Sequence, residues 1–147
     1  MKILVDADAC PVKDIIEEIA GNYKLRVIMV SNSSHVINSD YSEHLVVDEG
    51  SQAADIAIAN NTEAGDIVVT QDYGLASIIL TRGAMAIHPD GKVYTLNNID
   101  GLLMQRYINY KARQARKRII NMKKRTQDDN NRFIDSFNRL IEESVFK

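Results

Sequence analysis

Ile3-Leu4-Val5-Asp6-Ala7-Asp8-Ala9-Cys10-Pro11 decides how the rest of the chain reads. Three apolar residues in a row suit a strand buried on both faces. Two aspartates follow at once, and Pro11 is well placed at the first turn of a helix, because its missing N–H would be unsatisfied there anyway. The same grammar recurs at Ile67-Val68-Val69-Thr70-Gln71-Asp72, where another apolar run closes on an acid before a helical stretch. Working outward, strands are expected at Lys2–Val5, Leu25–Val30, Leu45–Val47, Ile67–Thr70 and Ala84–Ile87. Helices are expected from Pro11 to about Ala20, ending at Gly21, from a Ser51 cap through Asn60, and over Tyr73–Leu80. Alternation of this kind implies parallel pairing and an α/β layer fold. From Ile99 the pattern turns helical, as two helices with a break near Arg125–Gln127, the second opening at Asp128 or Asp129 and ending near Val145. The expected organisation is one domain over 1–147, with an α/β core over 1–97 and a helical C-terminal extension over 98–147.

In an open parallel sheet, ligands bind at the carboxyl ends of the strands. Asp6, Asp8 and Asp72 fall on that edge. Asp55 lies among Ala53, Ala54, Ile56, Ala57, Ile58 and Ala59, in a helix apolar nearly all round, where an unpaired charge costs several kcal/mol. Carboxylates that converge repel one another unless a cation sits among them. Asp6, Asp8, Asp55 and Asp72 are therefore read as ligands of a divalent metal, with metal-assisted phosphate chemistry the leading functional idea. The hydroxyl of Thr70 is placed to orient a carboxylate or an attacking water. The plainer reading is that each aspartate only caps a helix or makes a turn. Asp66 is the internal control: it precedes the strand that Asp72 follows, roughly 20 Å away, so it belongs on the far edge and outside the site.

The net charge of −2 conceals an asymmetry. Residues 1–100 carry 6 Lys/Arg against 15 Asp/Glu, whereas residues 101–125 carry 9 Lys/Arg and no acid. On a helical wheel Met104, Ile108, Ala112, Ala115, Ile119 and Met122 share a face, with Arg106, Arg113, Lys117 and Lys124 nearly opposite. A helix that is merely solvated commonly mixes Glu with Lys; this one points to a polyanion, held without much sequence preference and released by salt. Neutralising acidic surface on this chain or on a second subunit is the alternative. Lys13 and Arg82 are further candidate phosphate contacts, each with an ordinary surface or capping role as the rival. Ser31, Asn32 and Ser33 line the cleft or form a turn. Tyr107 and Tyr110 stack on bases or, by default, pack the helix. Cys10, the single cysteine, excludes an intrachain disulfide and a Cys-based zinc site, and reads as a small buried side chain. His35, His44 and His88 have no ligand spacing. No apolar run approaches the ~20 residues that span a bilayer, and no charged leader precedes the first strand, so no membrane role and a cytoplasmic location are expected.

Asp6-Ala7-Asp8-Ala9-Cys10-Pro11-Val12-Lys13 resembles the opening motif of the bacterial YaiI/YqxD family. Ala53-Ala54-Asp55, Gly65-Asp66-Ile67-Val68-Val69-Thr70-Gln71-Asp72-Tyr73-Gly74-Leu75-Ala76, Arg82-Gly83-Ala84 and Tyr94-Thr95-Leu96-Asn97-Asn98-Ile99 continue the resemblance in order. It covers about residues 1–110 closely and the tail loosely. That family is considered similar to PIN-like nuclease domains. The resemblance implies a PIN-like three-layer fold with a central, mostly parallel sheet, and acids binding Mg²⁺ or Mn²⁺ for phosphodiester cleavage. Position by position these are Asp6 with Asp8, Asp55 and Asp72. One departure is visible: the family often has a Gly-Gly-Pro-like stretch before its final helix, and here the region reads Lys123-Lys124-Arg125-Thr126-Gln127-Asp128.

The expected function is metal-dependent hydrolysis of nucleic acid, RNA ahead of DNA, with self-association through the helical tail. Two rivals stand beside it. One is a non-catalytic nucleic-acid-binding or regulatory module. The other is a haloacid-dehalogenase-type phosphatase, with Asp6 and Asp8 as nucleophile and acid, which also needs an acidic pair at one strand end; Asp66 and Asp72 sit at opposite ends.

Overall fold

The computed structural model describes residues 1–32, 40–49, 52–101 and 124–145. Its centre is a six-stranded sheet built from β1 (Lys2–Asp6), β2 (Arg26–Asn32), β3 (Glu43–Val47), β4 (Ile67–Val69), β5 (Met85–Ile87) and β6 (Val93–Tyr94). The order across the sheet is β3-β2-β1-β4-β5-β6. All pairs are parallel except β5 with β6. β1 and β4 lie side by side at the centre, in register Ile3↔Ile67 to Val5↔Val69. Ile3, Leu4, Val5, Ile67, Val68 and Val69 are all completely buried, which is why both strands read as unbroken apolar runs.

Alternation of side chains splits the core into two layers. On one face, Ile3, Val5, Val27, Met29, Ile67 and Val69 pack against α1 (Lys13–Asn22) and α4 (Gln127–Val145). On the other, Leu4, Val30, Val68 and Ala86 pack against α2 (Ala53–Asn61) and α3 (Tyr73–Thr81). The protein is thus a three-layer α/β fold with a mostly parallel central sheet. Helix α4 is no loose extension: Phe133 and Phe137 are fully buried, stacked with ring centroids 5.0 Å apart, in the same cluster as β1 and β4.

Several boundaries differ from the expected ones. Pro11 precedes the cap of α1 instead of sitting in its first turn, since Val12 is the N-cap. Gly21 does not end α1. The chain leaves the helix at Lys24, whose φ of 57° closes a turn in which Lys24 N–H donates to Gly21 O (3.2 Å) and Leu25 N–H to Ala20 O (2.9 Å). That left-handed position usually falls to glycine, so the glycine in the sequence misdirects by three residues. Strand β2 runs through Ser31 and Asn32, two residues beyond its expected end at Val30. Gln52 is the N-cap of α2; the expected cap, Ser51, lies outside the described residues. Helix α4 starts at Gln127, one residue early, and the two-residue β6 was not expected. Its hairpin turns at Gly91 (φ 99°), where a Cβ would come within 2.6 Å of the Arg132 backbone, so the turn is pressed against α4.

Candidate functional site

The sheet delivers its acids to one edge. Asp6 is the last residue of β1, and Thr70 and Asp72 follow β4 beside it. Thr70, 1% exposed, holds them together: its hydroxyl donates to Asp6 Oδ2 at 3.2 Å and accepts the Asp72 N–H at 3.0 Å. The Asp72 carboxylate caps α3, accepting from Gly74 N–H at 2.8 Å and Leu75 N–H at 3.2 Å. Asp8 sits in the short 3-10 turn after β1 and accepts the Asn32 N–H at 2.9 Å, tying that turn to the end of β2. Burial raises the pKa of Asp6 most; the Thr70 hydrogen bond lowers it, and the charges of Asp72 and Asp8 raise it further. Asp72 and Asp8 thus each act on Asp6.

Asp55 reaches the same neighbourhood from α2. It is half-buried and lines, with Asp72, an open cleft of about 620 Å³ between α2 and α3. Its surroundings differ from the expected dry helix, because Ile56 beside it is 57% exposed. Helix α2 has a solvent face despite its apolar composition. Ile56, Leu75, Ile78 and Arg82 are among the other residues that wall that cleft. The plain capping role of the aspartates is thus realised at Asp72, but it does not account for Asp6, whose side chain meets a hydroxyl and two like charges. Among the described residues, no three His, Cys, Asp or Glu side chains stand close enough to enclose a single metal ion. The available donors are nonetheless of one kind, carboxylate oxygens, which is the chemistry a hard divalent cation takes.

Asp66 behaves as the control it was expected to be. It lies at the opposite end of β4, 2% exposed, where it accepts from Lys2 N–H (3.0 Å), Lys2 Nζ (2.7 Å) and Glu63 N–H (2.8 Å). Its occupation there deprives the phosphatase reading of a second acid at the site.

The basic candidates are dispersed. Lys13 Nζ donates to Ala7 O at 3.2 Å and so clamps the turn that carries Asp8. Arg82, exposed at the end of α3, donates through Nη1 to Ala59 O while lining the cleft. Lys124 is exposed just ahead of α4. The neighbouring Arg125 is fixed by Asn130 Oδ1 and Pro89 O, both at 2.7 Å. Arg106, Arg113 and Lys117, with Tyr107, Tyr110, Ser33 and His35, lie outside the described residues.

One contributor, Tyr94, was not legible beforehand, whereas Cys10 is buried as expected. Tyr94, 1% exposed, donates its hydroxyl to Thr70 O at 3.1 Å and packs edge-on to Tyr73, with ring centroids 5.6 Å apart. It buttresses Thr70 from a strand of two residues that no periodicity reveals. Cys10 is buried, and its thiol is pushed up to about 11, chiefly by desolvation. At pH 8 the thiol therefore stays overwhelmingly protonated. Iodoacetamide at that pH should leave Cys10 unmodified in the native protein and alkylate it readily in urea; rapid native labelling, read by mass spectrometry, contradicts this placement.

Residues 4–143 match the family model described as "Uncharacterized BCR, YaiI/YqxD family". The chain belongs to the YaiI/YqxD family. It is 48% identical over 141 residues to a UPF0178 protein of Natranaerobius thermophilus, covering 96% of each chain. It is 47% identical over 147 residues to a UPF0178 protein of Alkaliphilus oremlandii, covering 100% of this chain and 95% of that one. A UPF0178 protein of Clostridium acetobutylicum is 46% identical over 143 residues, covering 96% and 97%. No solved structure matches the chain significantly. The expected family is thereby established over nearly its whole length, including α4. Among the described residues, no helix is long and apolar enough to cross a membrane.

Proposed function

We propose that this member of the YaiI/YqxD family is a divalent-metal-dependent phosphodiesterase acting on RNA or DNA, RNA ahead of DNA. The observation that carries the reading is Thr70, whose buried hydroxyl donates to the Asp6 carboxylate and accepts the Asp72 main-chain N–H, so that the two acids come to one sheet edge. Such an arrangement is costly for folding alone and suits a cation, Mg²⁺ or Mn²⁺. Asp6, Asp8, Asp55 and Asp72 are the proposed ligands. The reading requires Asp55 and the β1 and β4 acids to close on one ion. When bound, the ion would lower the pKa of a water and offset charge on the transferring phosphate.

The chain's own groups perform the rest. Thr70 fixes the orientation of the Asp6 carboxylate. The N-terminus of α3 fixes that of Asp72, and the Asn32 N–H fixes that of Asp8. Arg82 at the cleft wall, Lys13 beside the Asp8 turn, and the stretch bearing Arg106, Arg113, Lys117 and Lys124 are the proposed backbone-phosphate contacts. The PIN-like relationship of the family supports the same chemistry as fold-level analogy.

Cleavage of end-labelled single-stranded RNA and DNA under matched Mn²⁺ tests it. Asp72→Asn should lose about 100-fold or more of the activity, with circular dichroism unchanged, because asparagine also caps a helix well. Normal cleavage by that variant removes Asp72 from the chemistry. Salt-dependent binding with no metal-dependent turnover by the wild type would instead favour the non-catalytic module.

A further inference from the structure

Asn32 ends β2 with a side-chain oxygen, Oδ1, that exposes less than 1 Å² and meets no hydrogen-bond donor among the described residues. It is the single buried side-chain polar atom in that condition among them. A shielded acceptor left unsatisfied costs its desolvation without return, so in a native fold it calls for an explanation such as an ion or a water. Its position supplies one. Val30 pairs with Asp6. Val30 and Leu4 both face α2 and α3, so by alternation Asn32 and Asp6 belong to that same face. A two-residue advance of ~6.6 Å and a strand spacing of ~4.8 Å put their Cα atoms roughly 8 Å apart. The main chain at Asn32 is also locked, because its N–H is held by the Asp8 carboxylate at 2.9 Å and 3.2 Å.

We infer that Asn32 Oδ1 is a further oxygen ligand of the cation site formed by Asp6 and Asp8, a neutral donor beside the carboxylates. The inference rests on the metal-dependent reading above and adds a ligand from β2. A neutral carbonyl oxygen suits a hard cation and adds no charge to a place already crowded with it.

Mn²⁺ titration by calorimetry and thermal melts in EDTA test this, with Asn32→Leu, Asn32→Asp and Asp6→Asn beside the wild type. Asn32→Leu, close in volume, should melt no lower than wild type in EDTA, since it removes the unsatisfied oxygen, and should bind Mn²⁺ about ten-fold or more weakly. Asn32→Asp, which keeps an oxygen in place, should retain binding. Asn32→Leu that binds Mn²⁺ as tightly as wild type, while Asp6→Asn loses it, overturns the assignment of Asn32 and leaves the metal reading standing. A folded wild type that takes up no Mn²⁺ overturns both.

Discussion

Asp6→Asn should melt above the wild type at pH 7 in EDTA and yet lose metal-dependent cleavage by about 100-fold or more. The two halves of this result have one cause. Burial first, and then Asp72 and Asp8, raise the Asp6 pKa above its ordinary 3.8, against the Thr70 hydrogen bond. A carboxyl whose pKa is higher in the folded than in the unfolded chain favours folding while it is protonated in both. That contribution is fully present below the ordinary value and is lost as pH rises through the raised one. Above that range the metal-free protein therefore carries the Asp6 carboxyl at a cost to its stability, which asparagine removes while still able to meet the Thr70 hydroxyl. The gain should shrink as pH falls toward the ordinary aspartate range. Melting curves across pH in EDTA check it; an asparagine variant that melts lower throughout would make Asp6 a structural carboxylate.

Asp66→Ala should cost about 3 kcal/mol of stability, the scale of breaking a buried ion pair by removing one partner. Asp66 and Lys2 are 3% and 13% exposed in their side chains and meet at 2.7 Å. The same carboxylate accepts from the backbone of Lys2 and of Glu63, so it joins the start of β1 to the loop ahead of β4. Alanine leaves the Lys2 ammonium, among the described residues, with the exposed Glu63 carboxylate at 3.8 Å as its remaining ion-pair partner. Urea unfolding should show the midpoint falling by about 1–2 M. Lys2→Met should cost less, because Asp66 then keeps two backbone donors. Cleavage per folded molecule should not change, since Asp66 lies at the far end of β4 from Asp72. An unchanged midpoint would contradict the buried pairing.

These contrasts show which physics the sequence carries openly. Ile3-Leu4-Val5 and Ile67-Val68-Val69 announce central parallel strands because both faces are covered, and an acid placed after such a strand falls on the binding edge whatever the loop does. Asp6, Asp8, Asp72 and the opposed Asp66 were legible for that reason. Asp55 was legible as a candidate but not in its setting: alanine and isoleucine all around α2 imply a dry helix, and only packing shows Ile56 in solvent beside an open cleft. The end of α1 was misjudged because Lys24 adopts the backbone conformation that glycine usually fills. Tyr94, and the unsatisfied oxygen of Asn32, a residue read only as lining the cleft or forming a turn, were hidden for a different reason. One hydroxyl reaching Thr70 and one oxygen left unsatisfied are properties of tertiary contact between residues far apart in the chain.

Calorimetric titration of Mn²⁺ into the wild type and Asp55→Asn, with circular dichroism confirming that both are folded, tests the central claim most directly. Asp55 comes from a different element than the other acids and lines the cleft together with Asp72. Saturable wild-type binding, weakened about ten-fold or more in the variant, is the expected result and joins α2 to the β1 and β4 acids in one cation site. A folded wild type that takes up no Mn²⁺, or a variant that binds it equally well, would contradict the account.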